Sequence, residues 1–177
     1  MTEEAEVSRA RSIKMKKYPG QVVSLVKSGE SNGFKWHILF YTIPSLGDLL
    51  PTTIYLAYVD VTGTKLDGIL DTEVVNKLGV DLHCGCTFVG PAENAGYLLS
   101  AADVDRHHWF IGEDYCHGED CQMSGPAWTA YSTSISPQKN TPETIEKHLI
   151  EETIPSLIKA LLMVDIRHPV NGVVEED

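Results

Sequence analysis

Positive charge is scarce in this chain. Its 14 Lys and Arg stand against 25 Asp and Glu, which leaves a net charge of −11 and a pI near 5.0. Broad binding to nucleic acid phosphates is disfavoured, because no surplus of cations exists to displace counterions. The one basic cluster, Arg9, Arg11, Lys14, Lys16 and Lys17, follows Glu3, Glu4 and Glu6. It reads as a solvated, charged helix or arm over residues 1–20. Cysteine is also sparse. Four in 177 residues do not make a disulfide scaffold, so a reducing compartment is expected. No apolar run approaches the roughly 20 residues that span a bilayer, and no membrane partner is expected. The N-terminus shows neither a basic nor an apolar leader region, which points to the cytoplasm. Internal repeats and low-complexity tracts are missing, which argues against repeat architectures.

A hydrophobic content of 42% over 177 residues suits one domain with a real core. That domain is expected over 21–168, followed by an acidic tail over 169–177 that ends in Glu175, Glu176 and Asp177. Gln21–Lys27 reads as a short strand and Ser28–Gly33 as a polar turn. Phe34–Ile43 and Ile54–Val61 are rich in aromatic and β-branched residues and read as strands, with a loop over Pro44–Pro51 between them. Asp71–Leu78 is expected to be a short helix, capped by Asp71 or Thr72 and stopped at Gly79. Leu82–Val89 reads as a strand, Gly90–Gly96 as a loop, Trp109–Gly112 as a further strand, and Gly118–Pro126 as a polar loop.

The clearest element closes the chain. Thr141 is a good N-cap, Pro142 suits the first helical position, and Glu143 and Glu146 favour the helix dipole. Ile145, Leu149, Ile154, Leu157, Ile158, Leu161 and Leu162 recur at helical spacing. Pro155 interrupts that stripe and should kink the helix without ending it, because the stripe continues in phase. The expected fold is α+β: a mainly antiparallel sheet of about four to six strands packed on a kinked C-terminal helix.

Chemistry-bearing residues gather in two places. One is Trp109–Cys121, where a strand runs into Glu113, Asp114, Cys116, His117, Asp120 and Cys121. The other is His83, Cys84, Cys86 and Thr87. The pattern Tyr58-Val59, then His83-x-Gly85-x-Thr87, then Trp109-x-x-Gly112-x-Asp114-x-x-His117-x-x-Asp120 resembles a family of small, uncharacterised bacteriophage and prophage proteins. Their motifs read Cys-Gly-Tyr-Val, His-Gly-Gly-x-Thr and Trp-x-x-Gly-Phe-Asp-x-x-His-x-Gly-Asp. The resemblance spans roughly residues 54–163. It departs at Leu56-Ala57, Cys84, Glu113 and Glu119, where the family has Cys-Gly, Gly, Phe and Gly. It implies a shared constellation of His83, Thr87, Asp114, His117 and Asp120, with Tyr58 beside it, in a bacterial host's cytoplasm. It implies no reaction.

Imidazole with carboxylate suits Zn²⁺, Mn²⁺ or Fe²⁺. A metal-assisted hydrolase would use His83, Asp114 and His117 as ligands. A water would fill the open position, and Asp120 or Glu113 would act as base or orienter. This needs His83 to arrive from a neighbouring strand. The cysteines lack Cys-x-x-Cys spacing, so a four-thiolate zinc is disfavoured. Cys116 is a poor nucleophile for the adjacent His117, since neighbours on a strand face opposite ways. Cys116 or Cys84 paired across strands with His83 or His117 stays open. The competing expectation is a polar network that only holds the sheet together, in a non-enzymatic protein that binds a host protein or a small nucleotide-like ligand. Tyr58 reads as a packed strand residue, and Trp36, Trp109 and Trp128 read as core residues. His107 and His108 read as exposed loop residues.

Overall fold

A computed structural model describes residues 22–43, 52–115 and 140–163. The N-terminal arm, the Pro44–Pro51 and Gly118–Pro126 loops, Trp128 and the acidic tail lie outside the described residues. So do Cys116, His117, Asp120 and Cys121.

β1 (Val22–Ser31) and β2 (Phe34–Ile43) form a hairpin closed by Asn32 and Gly33. Both turn residues have positive φ, 50° and 84°, which the tight turn matching strand twist demands. β1 therefore runs through Ser28–Ser31, which composition alone assigns to a turn. Gly29 earns its place by proximity: a Cβ there would lie 2.5 Å from Trp36 Cζ2. The register slips between Leu25 and Lys27, a bulge on this outer strand.

β3 (Thr52–Asp60) pairs with β2, β5 (Trp109–Tyr115) pairs with β3, and β4 (Phe88–Pro91) closes the far side. All four pairings are antiparallel, in the order β1-β2-β3-β5-β4. β5 extends to Tyr115, three residues past the expected Gly112, so Glu113 and Asp114 belong to the strand. β4 is shorter than the expected Leu82–Val89. Cys84 and Gly85 take positive φ, 54° and 95°, which breaks extended backbone before Phe88. Gly90–Gly96, expected as a loop, contains the end of β4 and a 3₁₀ turn, Ala92–Ala95.

α1 (Thr72–Lys77) is capped by Asp71, whose carboxylate accepts from Glu73 N–H at 2.9 Å, and Gly79 follows at φ 76°. α2 (Tyr97–Ser100) is a single turn after the 3₁₀ segment. The C-terminal helix begins with α3 (Pro142–His148), capped reciprocally by Thr141 and Thr144. It passes through a π-helical stretch, Leu149–Thr153, into α4 (Ile154–Met163). Pro155 has no N–H to donate, and the wider π turn before it keeps the helix going. Among the described residues, no helix is long and apolar enough to cross a membrane.

Strand alternation splits the core in two. Trp36, Ile38, Ala57, Val59, Ile111 and Tyr115 face the C-terminal helix through Ile145, Leu149, Ile154 and Leu157. Leu39, Tyr58 and Phe110 face the opposite way, toward Ala92, Ala95 and Leu99. Leu162 is 79% exposed, whereas Leu161 packs against the first core. One residue is about 100° of helix rotation, so both cannot face the sheet. The helix is also clasped by the 79–87 loop: Thr153 Oγ1 donates to Asp81 O at 2.8 Å, and Asp81 N–H donates to Ser156 Oγ at 2.7 Å.

Candidate functional site

Glu113 is the centre of the first polar site. Odd-numbered residues of β5 face the C-terminal helix, so its carboxylate points into the core, and the residue is only 1% exposed. A buried charge is costly unless hydrogen-bonded. Here Oε1 accepts from Tyr115 Oη–H at 2.9 Å, and Oε2 accepts from the backbone N–H of His83. The His83 ring stacks on Tyr115, centroids 4.2 Å apart and 10° from parallel. His148, from the last turn of α3, brings Nε2 to 3.7 Å from Glu113 Oε2. That is an ion-pair distance and not a hydrogen bond, and His148 Nε2 is buried without a hydrogen-bond partner among the described residues. The two imidazoles meet edge to face at 6.5 Å.

The electrostatics follow from this layout. The Glu113 carboxylate raises the pKa of His148 against the opposing cost of burial, and Asp81 and Glu152 act in the same direction. Cys86 sits nearby, its N–H on Asn76 Oδ1 at 2.8 Å and its thiol on Phe88 O at 3.1 Å. Burial pushes that thiol up to about 11, which makes it a packed residue and a poor nucleophile.

The structure redistributes the expected site. His83 does arrive beside β5, but it meets Glu113 and Tyr115. Asp114 alternates onto the opposite face, level with Leu56, so His83 and Asp114 are not brought together. Tyr58 also lies on that opposite face, buried edge-on against Phe88 at 5.6 Å and close over Gly112. Thr87 is exposed and bonds the Gly112 carbonyl through both N–H, at 3.0 Å, and Oγ1, at 3.3 Å. Cys116, His117 and Asp120 lie outside the described residues. Among the described residues, no three His, Cys, Asp or Glu side chains lie close enough to hold a metal ion.

Two contributors were not singled out from sequence. His148 falls between the core positions Ile145 and Leu149, so a polar residue on the buried face of the helix stripe was the available signal. The other is a second acid–imidazole pair, on the face away from the C-terminal helix. His108 Nδ1 lies 2.9 Å from Asp60 Oδ2. The half-buried ring of His37 on β2 belongs to that face too, tilted against Phe110 at 6.0 Å. Burial lowers its pKa, partly offset by Asp60. Comparison with protein-family models, with curated proteins and with solved structures returns no match.

Proposed function

We propose that this chain is a small accessory protein, of the kind phages place in a bacterial cytoplasm, that acts by binding. In this reading the Glu113 cluster ties the C-terminal helix and the 79–87 loop to the sheet. The observation that carries it is the state of the Glu113 carboxylate: each oxygen already accepts a hydrogen bond from the fold itself. A general base needs an acceptor aimed at substrate, and a carboxylate bound on both sides inside the core is poorly placed for that. The net charge of −11 favours a protein partner over nucleic acid. The test is capture of a partner from bacterial lysate on the immobilised full chain, followed by affinity measurement with the purified partner. Glu113→Gln should bind with unchanged affinity per folded molecule. Absence of any saturable partner, together with a multiple-turnover hydrolysis abolished by Glu113→Gln, would overturn the proposal.

A further inference from the structure

We propose that the Asp60–His108 pair is a second chemical site, in which His108 acts as a general base for the hydrolysis of small uncharged esters. An ionised carboxylate only accepts, so Nδ1 of His108 is the donor in the 2.9 Å contact with Asp60 Oδ2. The lone pair of the neutral ring is thereby fixed on Nε2. The side chain of Asp60 is 13% exposed and that of His108 is 46% exposed, so a held carboxylate aims a solvent-facing base. This is the base-plus-orienter half of a catalytic triad, with water available as nucleophile.

The fold does not need the pair. Asp60 Oδ1 already accepts from Thr62 N–H at 2.9 Å and Thr62 Oγ1 at 2.6 Å, which sets the turn after β3. Trp109 N–H donates to Thr62 Oγ1 at 2.8 Å, and Val61 N–H to Trp109 O at 2.7 Å, which sets the start of β5. An ion pair with one half-exposed member adds little to this. The neighbouring His107 shows the contrast. Its Nε2 receives Arg106 Nε–H at 3.1 Å, so its acceptor is occupied.

The surroundings select the electrophile. Beside the pair, His107 N–H donates to Asp105 Oδ1 at 2.8 Å, and the Arg106 guanidinium is turned to His107. With the Asp60 carboxylate in contact with the ring and a net charge of −11, phosphate monoesters are disfavoured and neutral acyl groups are the suitable substrates. In the step, His108 Nε2 takes a proton from water as the water oxygen bonds to the acyl carbon. The C–O bond to the leaving alcohol then breaks, and the imidazolium returns the proton to that alkoxide. Ester and water give acid and alcohol, with nothing else consumed.

The test uses the full chain and p-nitrophenyl acetate, with rates followed over pH 5–8.5. His107→Ala is the built-in control and should stay within about twofold of wild type. His108→Ala and His108→Gln should each lose at least about tenfold, the low end for a positioned base. Asp60→Asn should slow the reaction several-fold, because the ring is no longer held by a carboxylate with its lone pair on Nε2. Thermal melts confirm that each variant is folded. Equal rates for the His107 and His108 variants, or an Asp60→Asn rate equal to wild type, would overturn the proposal.

Discussion

Glu113 shows how one residue can be placed by strand parity alone. On β5 it sits between Gly112 and Asp114, whose Cα atoms belong to the opposite face, and it is the only one of the three to enter the core beneath the C-terminal helix. Replacing it with Ala leaves the Tyr115 hydroxyl and the His83 N–H without their acceptor in a dry site. Removing one partner of a buried charged contact costs about 3–5 kcal/mol. Glu113→Gln keeps one acceptor oxygen and the side-chain shape, and should cost about 1–2 kcal/mol. Urea unfolding of both variants checks the order and the size of the two effects.

The histidines make opposite contributions to the pH dependence of stability. His148 has its pKa raised in the folded state by Glu113. Its contribution is fully present below the unfolded value, about 6.5, and is lost as pH rises through the raised folded value. His37 has its pKa lowered by burial. Its contribution is present above about 6.5 and is lost as pH falls through the lowered folded value. Stability measured from pH 5 to 8 should therefore lose its high-pH decline in His148→Gln and its low-pH decline in His37→Gln. An unchanged curve in His148→Gln would contradict the ion pair with Glu113.

At the scale of elements, the turns and caps carry separable energies. Thr141→Ala removes the hydroxyl that caps α3 and should cost about 1 kcal/mol. Gly29→Ala drives a methyl into the Trp36 indole, and overpacking of this kind costs about 1–3 kcal/mol. Near-ultraviolet circular dichroism should report the displaced indole, and a stability equal to wild type would contradict the close approach.

The same elements show what sequence can reveal. Phe34–Ile43 and Ile54–Val61 were legible because β-branched and aromatic side chains fit a pleated, half-buried surface. The helix start was legible because Thr141 and Pro142 have local reasons to be there. Ser28–Ser31 was not, since Ser, Gly, Glu and Ser carry little strand preference and are held by pairing with Phe34–His37 across the Asn32–Gly33 turn. Leu82–Val89 misled in the other direction. Its apolar content serves the core, as Leu82 and Cys86 show, while positive φ at Cys84 and Gly85 denies it a strand. The candidate site was legible as a region and illegible as a contact set. His83 to Glu113 spans 30 positions and Asp60 to His108 spans 48, and local patterning carries no information about such pairs.

At the scale of the molecule, the sheet is a partition between two dissimilar faces. The C-terminal helix covers one face, and the Glu113 cluster, the Asp81 clasp and the Lys27–Glu146 ion pair fasten it there. The other face carries the shorter 3₁₀ and α2 segment and, at the Asp60 end, the exposed imidazole of His108. A buried carboxylate satisfied on both oxygens contributes rigidity to that partition. The most direct test is the double-mutant cycle of Glu113→Ala with Tyr115→Phe, read by urea unfolding of the full chain. A structural tie predicts a coupling of about 1 kcal/mol or more between the two positions. Additive effects, with the double variant as destabilised as the sum of the singles, would contradict it.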